Sequence, residues 1–351
     1  MSPEKDFRDI PVFDGHNDLL SRIFIDPEVN FFTGAKGKHI SLGAMRQGGM
    51  VGGLFAIFIP PTTEEENTGQ GEGGWKLPGP VAPDRGARVT AQQFSILSRL
   101  VEQSGGAVRL CRTAEEIESA RAAGAIAAVG HIEGAEGISD SLEELDLYYA
   151  AGVRSIGPVW SRPNRFGYGV PIFLEGSPDT GPGLTDAGRR LVERCRELRL
   201  VVDLSHLSEK GFWDVARMAD APLVASHSNV WDLCGSSRNL TNSQLEAIGE
   251  SDGLVGLNFG TLFLRGDGKL DENTDLTIMV DHLRRMVDIA GVDHVGFGSD
   301  FDGTTIPKGI GTAAGLPQLL SALRSAGFAP EEIRKIAYEN WLSLLRRVWG
   351  R

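Results

Sequence analysis

Eight short apolar runs are spaced along the chain, each bounded by Gly, Pro or Asp and separated by stretches with helical periodicity. Their near-continuous apolarity is typical of strands that are buried on both faces, as in parallel sheets. The runs cover residues 10–18, 51–59, 125–133, 153–160, 200–206, 223–227, 254–259 and 294–300.

The stretches between these runs predict helices. Ser141 and Glu144 have the spacing of a capping box, which predicts a helix start at Ser141. Apolar residues recur at helical spacing in 184–198, 208–219 and 275–290, and Pro lies near the first turn of 317–326 and 330–349.

Strand and helix alternate eight times, which is typical of a (β/α)8 TIM barrel or a long doubly wound sheet. The count of eight favours the barrel. No linker is long or polar enough to divide the chain, so we expect a single domain over residues 1–351. Insertions at about 60–85 and 161–183 follow strands, on the face where barrel active sites form. They are either a pocket rim or ordinary surface loops.

Composition excludes several classes of protein. The net charge is 35 − 47 = −12, which argues against nucleic acid as a partner. The three cysteines have no CxxC spacing, which fits a reducing compartment and argues against a Cys-ligated zinc. We see no signal peptide, no long apolar span and no lipid-anchor signal. We therefore expect a soluble cytoplasmic protein without a membrane partner. The oligomeric state is left open, with a homodimer as one candidate.

Metal-ligand residue types lie at the carboxyl ends of five of the predicted strands. They are His16, Asp18, Glu133, His206, His227 and Asp300. In a barrel these ends meet at one mouth. Taken singly, each is more commonly a buried polar residue than a ligand, but together they would be costly to bury unpaired, and a metal removes that cost. Imidazole with carboxylate suits zinc, and there are enough ligands for two ions with one bridging carboxylate.

The remaining histidines are weaker candidates. We expect His39, His282 and His294 to be exposed or structural. His131 lies two residues before Glu133, so the two side chains share a face, and we interpret it as an outer partner or barrel lining. Asp14 is expected to orient one of the ligands.

Six short motifs resemble those of the membrane dipeptidase family, also called renal dipeptidases or peptidase family M19, and most closely its soluble bacterial branch. They lie in order over nearly the whole chain: Asp14-Gly-His16-Asn-Asp18, Ile132-Glu133-Gly134, Asp203-Leu-Ser-His206, Ser226-His227-Ser-Asn, Ser237-Arg238-Asn239 and Gly298-Ser-Asp300-Phe-Asp302-Gly303. The resemblance implies a binuclear zinc hydrolase on a barrel of the metal-dependent amidohydrolase type.

The resemblance also implies a role for each matching residue. His16 and Asp18 would hold one zinc, His206 and His227 the other, and Glu133 would bridge them. Arg238 would bind the substrate carboxylate, and Asp300 would move protons.

The chain departs from the mammalian pattern at two positions. Trp160 lies where those members have a substrate-contacting His, and Gly260 where we expect a substrate-contacting Tyr. We predict that Trp160 contacts substrate by shaping the pocket. Both differences bear on the substrate range and leave the proposed ligands unchanged.

We therefore predict a zinc-dependent metallo-dipeptidase that hydrolyses short dipeptides, including L-Xaa-D-Xaa, with a hydroxide between two zinc ions. One alternative is an amidohydrolase acting on another amide, an N-acyl amino acid or a lactone. The other is a metal-binding barrel without catalytic activity.

Overall fold

Eight parallel strands form the wall of the fold in a computed structural model. It describes residues 7, 9–60, 70–71, 74–75, 79–172, 176–218 and 221–350. The strands are β1 (Val12–Asn17), β2 (Met50–Phe58), β3 (Ile126–Glu133), β4 (Val153–Gly157), β5 (Val201–Val202), β6 (Val224–Ala225), β7 (Leu254–Leu257) and β8 (Val295–Phe297).

The strand order is that of a nearly closed barrel. Hydrogen-bonded neighbours run β5-β4-β3-β2-β1-β8-β7-β6, with all pairs parallel. Where β5 and β6 meet, a single parallel bridge joins Asp203 to Val224. We call this junction the β5–β6 seam. The (β/α)8 prediction is confirmed.

Three further short strands lie outside the barrel wall. Val108–Leu110 pairs with β3 at the edge of the sheet. Gln70–Gly71 and Gly74–Trp75 form a two-stranded antiparallel ribbon within the 60–85 insertion. The rest of residues 61–78 lies outside the described residues.

Helices follow the strands and cover the outside of the barrel. The α-helices are α1 (Leu19–Ile25), α2 (Leu42–Gln47), α3 (Pro83–Gln103), α4 (Ala114–Ala122), α5 (Glu143–Ala151), α6 (Asp186–Glu197), α7 (Glu209–Met218), α8 (Asn242–Glu250), α9 (Thr261–Leu264), α10 (Leu276–Ala290), α11 (Leu316–Ser325), α12 (Pro330–Arg334) and α13 (Asn340–Trp349). A π-helical turn, Lys335–Glu339, joins α12 to α13. Short 3-10 turns lie at Val292–His294 and Ala313–Gly315.

The start of α5 differs from the prediction. Its N-cap residue is Leu142, which has φ 64° and makes no side-chain cap. Glu144 accepts hydrogen bonds from the backbone N–H and the hydroxyl of Ser139 instead. The predicted capping box at Ser141 is therefore wrong, because Glu144 bonds to Ser139, two residues earlier in the chain.

Trp341 of α13 anchors the barrel interior below the strand ends. It is fully buried, packs in one cluster with Phe13 and Leu54, and donates Nε1–H to the carbonyl of Phe297 at 2.9 Å. A Cβ at Gly15 would overlap the Trp341 ring, so the glycine between Asp14 and His16 is required by packing. The motif that carries His16 thus rests on this tryptophan.

Replacing Trp341 by alanine is expected to lower the free energy of unfolding by about 3–5 kcal/mol, because it leaves a large cavity. Chemical denaturation measures this. The half-buried Trp213 of α7 is the control, and Trp213→Ala should cost clearly less. Equal losses in the two variants would contradict the anchoring role.

Candidate metal centre

Glu133, the last residue of β3, lies at the centre of the barrel mouth. Its Oε1 is 2.8 Å from Nε2 of His206 and 3.5 Å from Nε2 of His227. Its Oε2 is 3.7 Å from Nε2 of His16. The two carboxylate oxygens therefore face two different sets of imidazole nitrogens.

His16 and Asp18 lie on one side of Glu133, at the end of β1. His16 Nε2 is 3.4 Å from Asp18 Oδ2, so the two side chains share a face as an extended strand requires. His16, Asp18 and Asp300 each offer an oxygen or nitrogen within 4.8 Å of the others. All three side chains are at least nine-tenths buried.

His206 and His227 lie on the other side of Glu133, just beyond β5 and β6. Their Nε2 atoms are 3.1 Å apart. Each ring has a serine hydroxyl 2.8 Å from its Nδ1, which is Ser161 for His206 and Ser226 for His227. The sequence analysis assigned no role to either serine.

Asp203 is a further acid at this end of the barrel, and the sequence analysis left it without a role. Its Oδ1 accepts hydrogen bonds from the backbone N–H and hydroxyl of Ser205 and from the backbone N–H of Ser226. Its Oδ2 accepts from the Ser226 hydroxyl at 2.5 Å and lies 3.5 Å from His131 Nε2. Its place three residues before His206, on the same strand end, was the signal available in the sequence.

Burial dominates the electrostatics of the mouth. It raises the pKa of Asp18 to about 7, although a hydrogen bond with Asp300 lowers it, and it raises the pKa of Glu133 well above its usual range, where the charges of Asp18 and Asp300 add to the effect. It lowers the pKa of His16, and lowers the pKa of His206 and His227 well below the usual range. The site thus combines neutral imidazoles with crowded carboxylates, whose repulsion a divalent cation would offset.

Asp300 follows β8 and closes the mouth beside Asp18. It has φ 56°, a left-handed conformation that is unusual for a residue with a side chain. Its Oδ2 accepts a hydrogen bond from Asn258 Nδ2 at 2.8 Å. Burial, and then the neighbouring Asp18, raise the pKa of Asp300 to about 6. Asn258, which positions this carboxylate, was missed in the sequence analysis.

Arg238 lies beside His206 and is only 2% exposed. Its guanidinium donates to the carbonyls of Ser205 and His227, to the Ser228 hydroxyl at 3.1 Å, and to His206 Nδ1 at 3.1 Å. Burial lowers its pKa to about 10, so it remains a cation at neutral pH. A substrate carboxylate could bind Arg238 only by replacing some of these bonds.

Trp160 forms an aromatic wall on the His206 side of the mouth. Its ring is 5.7 Å from His206 and 4.9 Å from Phe58, between ring centroids. The guanidinium of Arg162 lies over the Trp160 ring at 5.3 Å and is held by an ion pair with Glu136 at 2.7 Å. The indole is half-buried.

The 161–183 insertion covers this side of the mouth. Val170 donates its N–H to the His206 carbonyl at 2.8 Å, and the Ser237 hydroxyl bonds to the carbonyl of Pro171. The insertion therefore contacts the segments that carry His206 and Arg238. Residues 173–175 within it lie outside the described residues.

The other polar residues singled out in the sequence have structural partners. Asp14 accepts hydrogen bonds from the backbone N–H and hydroxyl of Ser299, and from the backbone N–H of His16 at 3.4 Å, and so it joins β1 to the segment after β8. His131 Nδ1 lies 3.0 Å from the Ser155 hydroxyl inside the barrel. His282 bridges Val230 and Leu264, while His39 and His294 bond to backbone groups elsewhere.

The residues present fit a bound metal. Both ring nitrogens of His16 are buried and have no hydrogen-bond partner among the described residues, and a metal ion would supply a partner for Nε2, which faces Asp18 and Glu133. His16, Glu133 and His227 offer ligand atoms within 4.8 Å of one another. Nitrogen and carboxylate oxygen donors of this kind suit zinc and similar transition metals.

Histidines and carboxylates gathered at the carboxyl ends of barrel strands define a metal-dependent hydrolase of the amidohydrolase type. The family model for membrane dipeptidase, peptidase family M19, matches residues 5–350. The chain therefore belongs to the membrane dipeptidase family, and it is a metallo-dipeptidase.

The chain is also similar to a curated relative and to solved structures of two peptidases. A Klebsiella pneumoniae protein described as "Uncharacterized protein in pqqA 5'region" is 50% identical over 258 residues, which is 74% of this chain and 95% of that protein. The structure of dipeptidase AC, a metallopeptidase of family M19, is 46% identical with a TM-score of 0.94 and covers 97% of this chain and 99% of its own. A metallopeptidase from Rhodobacter sphaeroides, liganded with a phosphinate mimic of L-Ala-D-Ala, has 46% identity, a TM-score of 0.93 and the same coverage.

Among the described residues, no helix is both long enough and apolar enough to cross a bilayer.

Proposed function

We propose that this chain is a zinc-dependent dipeptidase that holds two ions and cleaves short dipeptides, including those with a D-residue at the carboxyl end. His16 and Asp18 would hold one ion, His206 and His227 the other, and Glu133 would contribute one oxygen to each. Zinc, when bound, lowers the pKa of water towards about 7 and polarises a carbonyl group.

The observation that carries this proposal is that the two oxygens of the Glu133 carboxylate face different histidines. One oxygen faces His206 and His227 at 2.8 and 3.5 Å, and the other faces His16 at 3.7 Å. A carboxylate that meets two sets of ligand nitrogens with its two oxygens is placed to bridge two cations. A single ion would leave one of the two sets unpaired.

Asp300 is the group placed to move protons. Its carboxylate lies beside Asp18 and His16, and Asn258 fixes its Oδ2 at 2.8 Å. Its raised pKa of about 6 is near that of a base that works at neutral pH. We infer that Asp300 takes a proton from the attacking water and passes it to the leaving amine.

Arg238 is proposed to recognise the free α-carboxylate of the dipeptide. Its position next to His206 brings a cation to the edge of the site, and its Nη1 bond to Ser228 at 3.1 Å is one of those that a carboxylate could replace. A guanidinium can form two parallel bonds to a carboxylate, which restricts the enzyme to short substrates with a carboxyl terminus in reach.

Arg238→Ala is expected to lower kcat/KM for a dipeptide by about 10–100-fold, because a charge-assisted hydrogen bond contributes about 1.5–3 kcal/mol. The C-terminal amide of the same dipeptide is the control, and its kcat/KM should fall much less. If the variant also disturbs His206, kcat/KM falls for both substrates. The difference between the two substrates therefore reports the loss of the carboxylate contact. A decrease of equal size for the two substrates would refute the carboxylate clamp.

The proposal that dipeptides with a D-residue are among the substrates is supported by a relative. The Rhodobacter sphaeroides enzyme, 46% identical over 97% of this chain, is liganded with a mimic of L-Ala-D-Ala. We test the proposal by measuring zinc content and hydrolysis of paired L-Ala-L-Ala and L-Ala-D-Ala substrates. Absence of zinc-dependent hydrolysis of both would refute the proposed function.

A second candidate function is hydrolysis of another amide, an N-acyl amino acid or a lactone. The observation that favours it is the wall of Trp160 and Phe58, which makes the His206 side of the mouth apolar. N-acyl amino acids and lactones added to the dipeptide panel distinguish the two functions by their relative kcat/KM values.

A further inference from the structure

The imidazole of His227 has a hydrogen-bond partner that determines which of its nitrogens carries the proton. Ser226 Oγ lies 2.8 Å from His227 Nδ1 and 2.5 Å from Asp203 Oδ2. A carboxylate only accepts hydrogen bonds, so the single hydroxyl proton of Ser226 goes to Asp203. The oxygen of Ser226 must then accept from Nδ1–H of His227, which leaves Nε2 of His227 with a free lone pair.

That lone pair points into the mouth of the barrel. Nε2 of His227 is 3.1 Å from Nε2 of His206 and 3.5 Å from Oε1 of Glu133. The proton of His206 is not placed in the same way, because the guanidinium of Arg238, which only donates, faces both ring nitrogens, Nδ1 at 3.1 Å and Nε2 at 3.3 Å. Among the described residues, His227 is thus the proposed ligand whose proton position follows from its hydrogen bonds.

Asp203 is held as an acceptor by more than Ser226. Within the described part of the chain, its carboxylate receives four hydrogen bonds, from the backbone N–H and hydroxyl groups of Ser205 and Ser226. It is only 4% exposed, which leaves little room for solvent donors to compete with them. The donors around Asp203 therefore determine the direction of the hydrogen bonds that run from His227 through Ser226 to Asp203.

We propose that Asp203 and Ser226 are positioning residues that hold His227 with its proton on Nδ1, so that Nε2 is ready to bind a metal ion. The proposal rests on the proposed function for its metal. Under this proposal Ser226, the residue before His227 in the chain, positions a ligand and does not itself bind the metal.

The chain offers a matched control in Ser205. Like Ser226, Ser205 is buried and donates its hydroxyl proton to Asp203, at 2.7 Å. Its oxygen also accepts from His227, but from the backbone N–H at 3.0 Å and not from the ring. Both serines therefore contribute to the β5–β6 seam, whereas Ser226 alone contacts the imidazole.

The experiment compares wild type, Ser226→Ala and Ser205→Ala. The zinc dissociation constant is measured by competition with a chromophoric chelator, and the melting temperature is measured on the zinc-free proteins. We expect similar drops in melting temperature for the two variants, and zinc binding about 10–100-fold weaker in Ser226→Ala only. Equal zinc affinities in the two variants would overturn the proposal.

The proton position can also be read directly in the wild-type protein. Nitrogen NMR of ¹⁵N-histidine-labelled protein, assigned with a His227→Gln sample, should show Nδ1 protonated and Nε2 unprotonated at neutral pH. A proton on Nε2, or a metal on Nδ1, would overturn the proposal even if Ser226→Ala failed to fold. Wild type that bound no zinc would refute the proposed function separately, and the tautomer would still be measured.

Discussion

Glu133→Gln is expected to remove zinc from both proposed sites and to lower kcat/KM for a dipeptide by at least about 10³-fold. Metal ions contribute several kcal/mol to the stabilisation of transition-state charge, and each 1.4 kcal/mol is about tenfold in rate. Glutamine keeps the size of the side chain but offers one neutral oxygen, whereas Glu133 faces His16 with one oxygen and His206 with the other. The measurements are zinc content by mass spectrometry and steady-state kinetics.

Glu136→Gln is the matched control for this variant. Glu136 is three residues further along the chain and, like Glu133, is 4% exposed. It differs in forming an ion pair with Arg162 at 2.7 Å. It should keep both zinc ions, even if the protein melts at a lower temperature. A Glu133→Gln protein that retained two zinc ions would contradict the bridging role.

Asp300→Asn is expected to retain two zinc ions and to lower kcat by about 10²–10⁴-fold, with a smaller change in KM. This is the range that a general acid–base group contributes. Asparagine can keep a hydrogen bond to Asn258 but cannot carry a proton between the water and the leaving amine. Kinetics on a dipeptide, together with zinc content, separate loss of proton transfer from loss of metal.

Asp302→Asn provides the comparison for Asp300. Asp302 is also buried and also has a left-handed backbone, with φ 69°, but its Oδ1 accepts the backbone N–H of His39 at 2.7 Å. The two variants share any general effect of removing a buried acid at this loop. If kcat fell equally in both, the assignment of proton transfer to Asp300 would be wrong.

The barrel and the gathering of its polar strand ends were predictable from the sequence. Apolar runs at eight places require eight buried strands, and the residues that end them must share one mouth. The strand lengths were not predictable. The run at 200–206 contains only the two-residue strand Val201–Val202, after which Asp203 makes a single isolated bridge to Val224 and accepts a hydrogen bond from the Ser205 hydroxyl.

The surroundings of the proposed ligands could not be predicted, since they depend on pairs far apart in the chain. Asn258 reaches Asp300, Ser161 reaches His206, and Asp203 reaches Ser226, in each case across more than twenty residues. Arg238 illustrates the same limit. Its sequence position indicates a loop beyond β6, but only the fold shows that its guanidinium is enclosed by carbonyl groups.

The β5–β6 seam limits which amino-acid substitutions the enzyme tolerates. One backbone bridge joins these two strands, and the bonds of Asp203 to Ser226 supplement it. Proposed ligands lie just beyond both strands, at His206 and His227, so a cation held between them would also crosslink this seam. The free energy of cation binding would then also stabilise the closed barrel. Substitutions along this junction are constrained twice, once for folding and once for chemistry.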